Sequence, residues 1–382
     1  MRATFHLKTL AVAIATLSVA SMTNAAGLDR SGQDITAFLQ DGTYAEAVYT
    51  YIDADVTGND NAYVGTSDTA YVKGKATGDI AESYDFFRYG VKTDINDTFS
   101  VGILYDEPFG AAAAYTGDNN FTGAPTAAID GLIAQQLDGK VPGQTITSAA
   151  GLDAYVKGVQ QQLAAGREQV RQGEAAIAAN PALEPVLRPQ IDEGKARIAA
   201  GEAQVAPLVG LNGYAAGQLA NTEGTNVEVR SESITAILGA KFGANKEFQI
   251  YGGPVAQRIQ SETKLRGLAY GPATGYTSNS NPDMDYGYIA GIAYSKPEIA
   301  LKAALTYRSE IDHSLEITEN YPLAGILTEA GALQQGATPA QAAALGAAAA
   351  NRISEMEITT PKSVNFDFQT GKFSFHFETN VG

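Results

Sequence analysis

Three histidines, scattered carboxylates and no cysteine are the raw material for chemistry in this chain. They do not assemble into a catalytic pattern. His6 lies in the first residues, His313 stands beside Asp312 where a solvated strand end is expected, and His376 sits near the last residues. No nucleophile elbow, phosphate loop or HExxH helix is present, so an enzyme is not expected. Asp53-Ala54-Asp55 followed by Gly58-Asn59-Asp60 imitates a calcium loop. It lacks the closing bidentate glutamate, and a strand-to-loop transition accounts for it. No cofactor or metal is implied. The absence of cysteine removes disulfide and thiolate chemistry together.

Four cations have a pattern worth more. Arg88, Arg258, Lys302 and Arg308 alternate with apolar residues, so they are expected on the wet side of strands, with Asp85 and Glu310 as partners. Two readings are open. They form a salt-bridged interior wall, or a cation holds the carboxylate of a ligand whose tail lies on apolar surface. Gly252-Gly253-Pro254 interrupts a strand-like run, because proline donates nothing to a ladder and tandem glycine permits a bulge or a close approach. A harmless bulge and an opening in the wall are both compatible with it.

The elements that must carry these residues are strands. Period-two alternation marks nine of them, at 43–56, 82–94, 97–109, 225–242, 246–263, 285–296, 299–317, 354–369 and 371–379. In the third, Phe99, Val101, Ile103 and Tyr105 oppose Ser100, Gly102 and Asp106. In the seventh, Leu301, Ala303, Leu305 and Tyr307 oppose Lys302, Thr306 and Arg308, and in the last, Phe373, Phe375 and Phe377 oppose Lys372, Ser374 and His376. Tight turns at Asn96-Asp97, Gly243-Ala244-Asn245, Lys296-Pro297 and Thr370-Gly371 alternate with the long connections 57–81, 110–224, 264–284 and 318–353. A transmembrane barrel has one rim of short turns and one of long loops. An exported β-sandwich shares the alternation but not this rhythm.

Residues 1–25 read as a secretory signal peptide: Arg2 and Lys8, an apolar run from Leu10 to Ala20, then Thr23-Asn24-Ala25. A formal charge of −16 argues against nucleic acid as a partner. Residues 121–222 differ in kind. Val156, Leu163, Val170 and Ile177, then Ile191, Ile198 and Val205, recur every seven residues, and the stretch beginning Gly166-Arg167-Glu168 returns 28 positions later at Gly194. Four heptads separate the copies, so both stripes face alike. Pro181, Pro185 and Pro189 should break the run between them, giving an αα-hairpin in an external loop. It is either a solvated decoration or a partner-binding arm. The Ala-rich loop 318–353 repeats the theme, with Thr338-Pro339 as a helix start.

Ala304-Leu305-Thr306-Tyr307-Arg308-Ser309-Glu310, preceded by Tyr288-Ile289-Ala290-Gly291-Ile292-Ala293-Tyr294, resembles a hairpin of the outer-membrane long-chain fatty-acid transporters, the FadL-like family. Tyr51-Ile52-Asp53-Ala54-Asp55-Val56 and Tyr105-Asp106-Glu107-Pro108-Phe109 are similar to strand ends of that family, and the matches run in order from 26 to about 370. The resemblance implies an all-β antiparallel transmembrane barrel at 43–382, a short hatch-like segment at 26–42, and helical insertions at 121–222 and 318–353. It implies passive transport of long-chain fatty acids or other hydrophobic molecules by a monomer in the outer membrane, with outer-membrane lipid and the barrel-assembly machinery as partners. Release would be lateral, with Gly252, Gly253 and Pro254 as the kink, and Arg258 would match a lumen arginine near the ligand headgroup. The chain departs from the pattern in lacking Asn-Pro-Ala at the end of the hatch. Its long insertion follows the third strand and not the fifth, and it offers nine strands against the family's fourteen, so an incomplete barrel is expected. A surface adhesin or receptor built on the helical arm is the alternative function.

Overall fold

In a strand, neighbouring side chains point to opposite faces, so a sheet with unlike faces can be read from which residues are covered. The computed structural model describes residues 33–62, 71–123, 126–137, 139, 141, 143–220, 222–370 and 374–380. The signal peptide and residues 26–32 of the hatch-like segment therefore lie outside the described residues, as do Lys372 and Phe373.

One antiparallel sheet of thirteen strands carries the fold. Its main path runs β1 (Tyr44–Ile52), β4 (Tyr84–Asp94), β5 (Phe99–Asp106), β7 (Asn226–Phe242), β8 (Phe248–Lys264), β10 (Asp283–Lys296), β11 (Leu301–Arg308), β14 (Ser363–Gln369) and β15 (Ser374–Asn380). Four further strands prolong it on the long-loop side: β6 (Gly110–Ala114), β9 (Thr277–Ser280), β12 (Ile311–Asn320) and β13 (Asn351–Thr360). Each continues a pass after a brief irregularity, as at Ser309-Glu310 between β11 and β12, so among the described residues the sheet makes nine passes. Every link is between antiparallel neighbours, and β1 and β15 stand at the two ends of the path.

The short turns are chemically specified. Asn96 Oδ1 accepts from the backbone N–H of Thr98 and Phe99 at 2.8 and 2.9 Å, and Gly243 takes φ +97° between β7 and β8. The long connection 57–81 has structure of its own. It holds a separate two-stranded hairpin, β2 (Thr57–Asn61) and β3 (Lys73–Asp79). Asp60, from the stretch resembling a calcium loop, is buried and accepts backbone N–H groups of Lys75 (2.6 Å) and Asn120 (2.7 Å). Its carboxylate organises loops.

The outer face of the sheet is apolar, and much of its inner face is polar. On β7, Ser231, Ser233 and Thr235 are buried on the inner face, while Ile234 and Leu238 on the outer face are more than half exposed. On β5, Ser100 and Asp106 are buried while Phe99, Val101 and Ile103 are exposed. On β14, Asn365 and Asp367 are buried while Phe366 is exposed. A protein folded by water reverses this arrangement, and so large an apolar surface marks contact with something other than water.

The outer band has limits. On β7 it runs from Ile234 to Phe242, nine residues, before Glu232 begins the charged part. A tilted strand crosses a bilayer core with about 9–11 residues. Aromatic rings bracket it: Phe242–Phe248 (5.6 Å) and Phe248–Tyr294 (5.1 Å) near the short turns, Tyr49–Phe87 (5.2 Å) and Tyr288–Tyr307 (6.0 Å) toward the long loops. Such girdles flank the apolar band of membrane barrels.

Beyond that rim sit the helices: α1 (Thr126–Leu137), α2 (Ala149–Ala179), α3 (Glu184–Ala220), α4 (Pro322–Gln334) and α5 (Pro339–Ala350). None of the described helices is long and apolar enough to cross a membrane. Ile133, Leu152, Val156, Leu211 and Leu323 join α1, the bases of α2 and α3, and α4 in one core. Helix α2 is capped by Ser148, whose Oγ accepts from Gly151 N, and α5 by a Thr338–Gln341 capping box.

Helices α2 and α3 form an antiparallel arm. Only Asn180–Leu183 separates them, and Pro189 and Pro207 lie within α3, so the proline break is shorter than the sequence suggested. The heptad glycines are the seats of the opposite helix's large side chains. A Cβ on Gly173 would lie 3.0 Å from Ile191 Cγ1, on Gly194 3.1 Å from Val170 Cγ2, and on Gly201 2.8 Å from Leu163 Cδ2. The internal repeat makes these pairs reciprocal about a local two-fold.

Candidate functional site

The concave face of the sheet is occupied by the chain's own residues 33–42. Ile35, Ala37, Phe38 and Leu39 are buried against Leu104, Ile237, Tyr251 and Val255 of the inner wall. Phe38 is 0 % exposed, with its ring 5.8 Å from that of Tyr251. Three glycines from adjacent passes make its seat. A Cβ on Gly102 would come within 2.8 Å of Phe38 Cδ2, one on Gly239 within 2.9 Å of its Cζ, and one on Gly90 within 2.5 Å of Ala37 Cβ. No other residue leaves that slot open.

Inner-wall cations fasten the same segment. Arg88 Nη1 donates to Asp34 Oδ2 (2.6 Å), with Glu46 3.3 Å from Nη2. Lys92, 1 % exposed, donates to the carbonyls of Gln40 (2.7 Å) and Gly42 (3.0 Å) and to Asp94 (2.6 Å). Lys302 donates to Leu39 O (3.0 Å), with Asp41 3.4 Å away. Cations on β4 and β11 thus hold one strap from both sides, which requires the sheet to curl around it.

The sequence expected four lumen cations. The structure places Arg88, Lys302 and Arg308 on the inner face and turns Arg258 outward. Val255, Gln257 and Ile259 are the buried members of that part of β8, and Arg258 pairs across the outer face with exposed Glu232 (3.4 Å). The partners also differ from expectation. Asp85 is exposed opposite Tyr51, and Glu310 faces Lys362 (3.9 Å). Arg308 Nη1 reaches Thr235 Oγ1 at 3.5 Å. His313 is buried rather than solvated, held by Asp283 (3.1 Å) and Gln257 (3.2 Å). It follows Ile311 and Leu315 on the inner side of β12. Lys92 and the glycine slot were missed. The slot's members are far apart in sequence, and only sheet register brings them together.

Gly252, Gly253 and Pro254 lie in the outer band between Ile250 and Arg258. The β7–β8 ladder pairs Thr235 with Val255 and Leu238 with Gly252, and is interrupted at Ala236–Ile237. On the other side, β10 pairs with Gly252, Gly253 and Pro254 without a break. A Cβ on Gly253 would lie 1.8 Å from Ala236 O, so glycine lets the backbone press in where proline has no N–H to give.

Tyr276 and Tyr321 tie α4 to the rim by donating to Glu319 Oε1 at 2.8 and 2.9 Å, and Arg352 lies 5.2 Å over the Tyr321 ring. Burial pushes the Tyr276 phenol up to about 12, and burial with neighbouring Tyr276 raises Tyr321 as well. A phenol raised in the folded state stabilises below its unfolded value near 10 and loses that contribution as pH climbs through the folded value. We expect the helical cap to loosen between pH 10 and about 12. Tyr276→Phe should remove one late-titrating phenol from the tyrosinate absorbance curve.

No family model matches the chain, and no curated protein matches it. Solved structures do. A FadL homologue from Pseudomonas aeruginosa matches with a TM-score of 0.39 and 13% identity, over 87% of this chain and 57% of that one. The outer membrane protein OprG from Pseudomonas aeruginosa matches at 0.30 and 11%, over 89% of this chain and 96% of that one. The toluene transporter TbuX of Ralstonia pickettii matches at 0.33 and 9%, over 94% of this chain and 65% of that one. The chain thus spans less than two thirds of two of these proteins. By its own strand pairing, the chain is an antiparallel barrel wall curled around an N-terminal strap and carrying an inserted α-helical hairpin.

Proposed function

We propose that this protein lies in an outer membrane and passes hydrophobic small molecules, long-chain fatty acids first among them, without energy input of its own. One observation carries the reading: an inner wall closed by a strap, next to an outer apolar band whose ladder is interrupted. A greasy molecule gains nothing from a water-filled axial route, and a lateral exit at Gly252-Gly253-Pro254 delivers it straight into hydrocarbon. Backbone groups released from a ladder are costly in lipid, so the interruption is a place where the wall yields. Arg308, whose guanidinium reaches Thr235 beside the interruption, is the residue placed to meet a ligand carboxylate. Arg88 and Lys302 hold the strap, and Arg258 faces outward.

Ala236 and Pro254 stand opposite each other across the gap, and the chain has no cysteine of its own. The double variant Ala236→Cys with Pro254→Cys can therefore lock β7 to β8 by one disulfide. Uptake of a fluorescent long-chain fatty acid by cells expressing it should fall at least tenfold on oxidation and recover with reductant. Uptake indifferent to the lock rules out this exit.

A further inference from the structure

The two sides of the seam between α2 and α3 are chemically unlike. One is closed by interhelical ion pairs, Arg167–Glu202 and Lys195–Glu174, each at 2.6 Å. The other is an open groove of about 860 Å³ floored by seam residues such as Leu163, Val170 and Ile198. Its rim carries Gln162, Gln169, Gln190 and Gln204 at heptad positions. Arg197, a charge on that rim, is held by Glu193 of its own helix. Leu163, Val170 and Ile198 are only half-buried by the two helices present, and four seam glycines weaken those helices further. A single pair leaves this seam half-made.

We propose that the groove is filled by the arm of a second copy of this chain, giving a four-helix bundle between two molecules. The chain's net charge of −16 makes copies repel over most of their surface, and the groove is a place where that repulsion is absent. A basic partner would find no countercharge in the lining, and the one cation there, Arg197, is already held by Glu193. Glutamine both donates and accepts, so a row of amides can pair with its own image across a two-fold axis. The internal repeat already gives each arm the reciprocal pattern that such an isologous contact needs. A dimer through the arms departs from the monomer expected from the sequence, and it is independent of what the barrel carries.

The absence of cysteine makes the test direct. Gln169→Cys places one thiol on the rim and Ala175→Cys places one on the opposite, solvated face of α2. In isolated membranes under mild oxidation, Gln169→Cys should give a disulfide-linked band at twice the mass of its own reduced chain, at least tenfold above Ala175→Cys. Adding Gln162→Glu, Gln190→Glu and Gln204→Glu should reduce that product at least tenfold while the helical signal in circular dichroism stays. Equal cross-linking at the two positions, none at either in folded protein, or a product of Gln169→Cys with a different mass each overturns the proposal.

Discussion

Leu238→Arg is expected to cost about 2–4 kcal/mol of membrane-inserted stability, which is roughly a 30- to 1000-fold loss of the folded, inserted form. Leu238 is 57 % exposed on the outer face of β7, four residues from either end of its neighbouring apolar stretch, and hydrocarbon is the only solvent in which that exposure is favourable. The size of the effect comes from depth. Glu232, six residues along the same face, lies past the band, so Glu232→Arg should change stability by about 1 kcal/mol or less. Denaturant titration in phospholipid vesicles compares the two. Equal, small effects at both positions would mean that the outer face touches water.

Gly102→Leu is expected to eject the strap. The added side chain would begin 2.8 Å from the Phe38 ring and 3.1 Å from Val91 O, and neither can retreat into a filled wall. Losing a buried phenylalanine contact costs about 3–5 kcal/mol, enough to turn a closed segment into one displaced in most molecules. Ion conductance in planar bilayers should rise at least tenfold. Phe38→Ala in the same chain should return much of the closure, because the smaller side chain makes room for the leucine. A Gly102→Leu protein that conducts like the parent would show that Phe38 does not seal the interior.

What was legible in the sequence followed from periodicity. Phe99 to Tyr105 and Leu301 to Tyr307 announced strands because lipid and lumen demand opposite polarities of alternate residues. The heptads of α2 and α3 announced the arm, and its glycines took the close approach their spacing allowed. The misplacements had separate causes. His313, expected at a solvated strand end beside Asp312, is buried because the irregularity at Ser309-Glu310 shifts the alternation, so that Ile311, His313 and Leu315 face inward although Leu305 faces outward. Asp85 and Arg88, three apart, cannot share a face of one strand, and the true partners of Arg88 came from residues 34 and 46. Arg258 was assigned inward because it alternates with Val255 and Ile259, but those apolar residues are buried on the inner face, and Arg258 turns outward at the level where β8 leaves the apolar band. The glycine slot was illegible for a different reason. Gly90, Gly102 and Gly239 are unremarked singly, and their meeting depends on the register of three passes and on a strap from another part of the chain.

Site-directed spin labelling of the cysteine-free chain tests most directly whether lipid is the outer solvent. Single cysteines from Ser231 to Phe242 on β7, labelled in vesicles, report access to oxygen, which concentrates in hydrocarbon, and to a polar nickel complex, which stays in water. The account predicts oxygen access peaking at residues 234, 236, 238 and 240, and falling at 233, 235 and 237, with the nickel complex reaching only the outward labels beyond the band near Glu232. Nickel access at 234–240 matching that at 232, with no two-residue oscillation in oxygen, would contradict it.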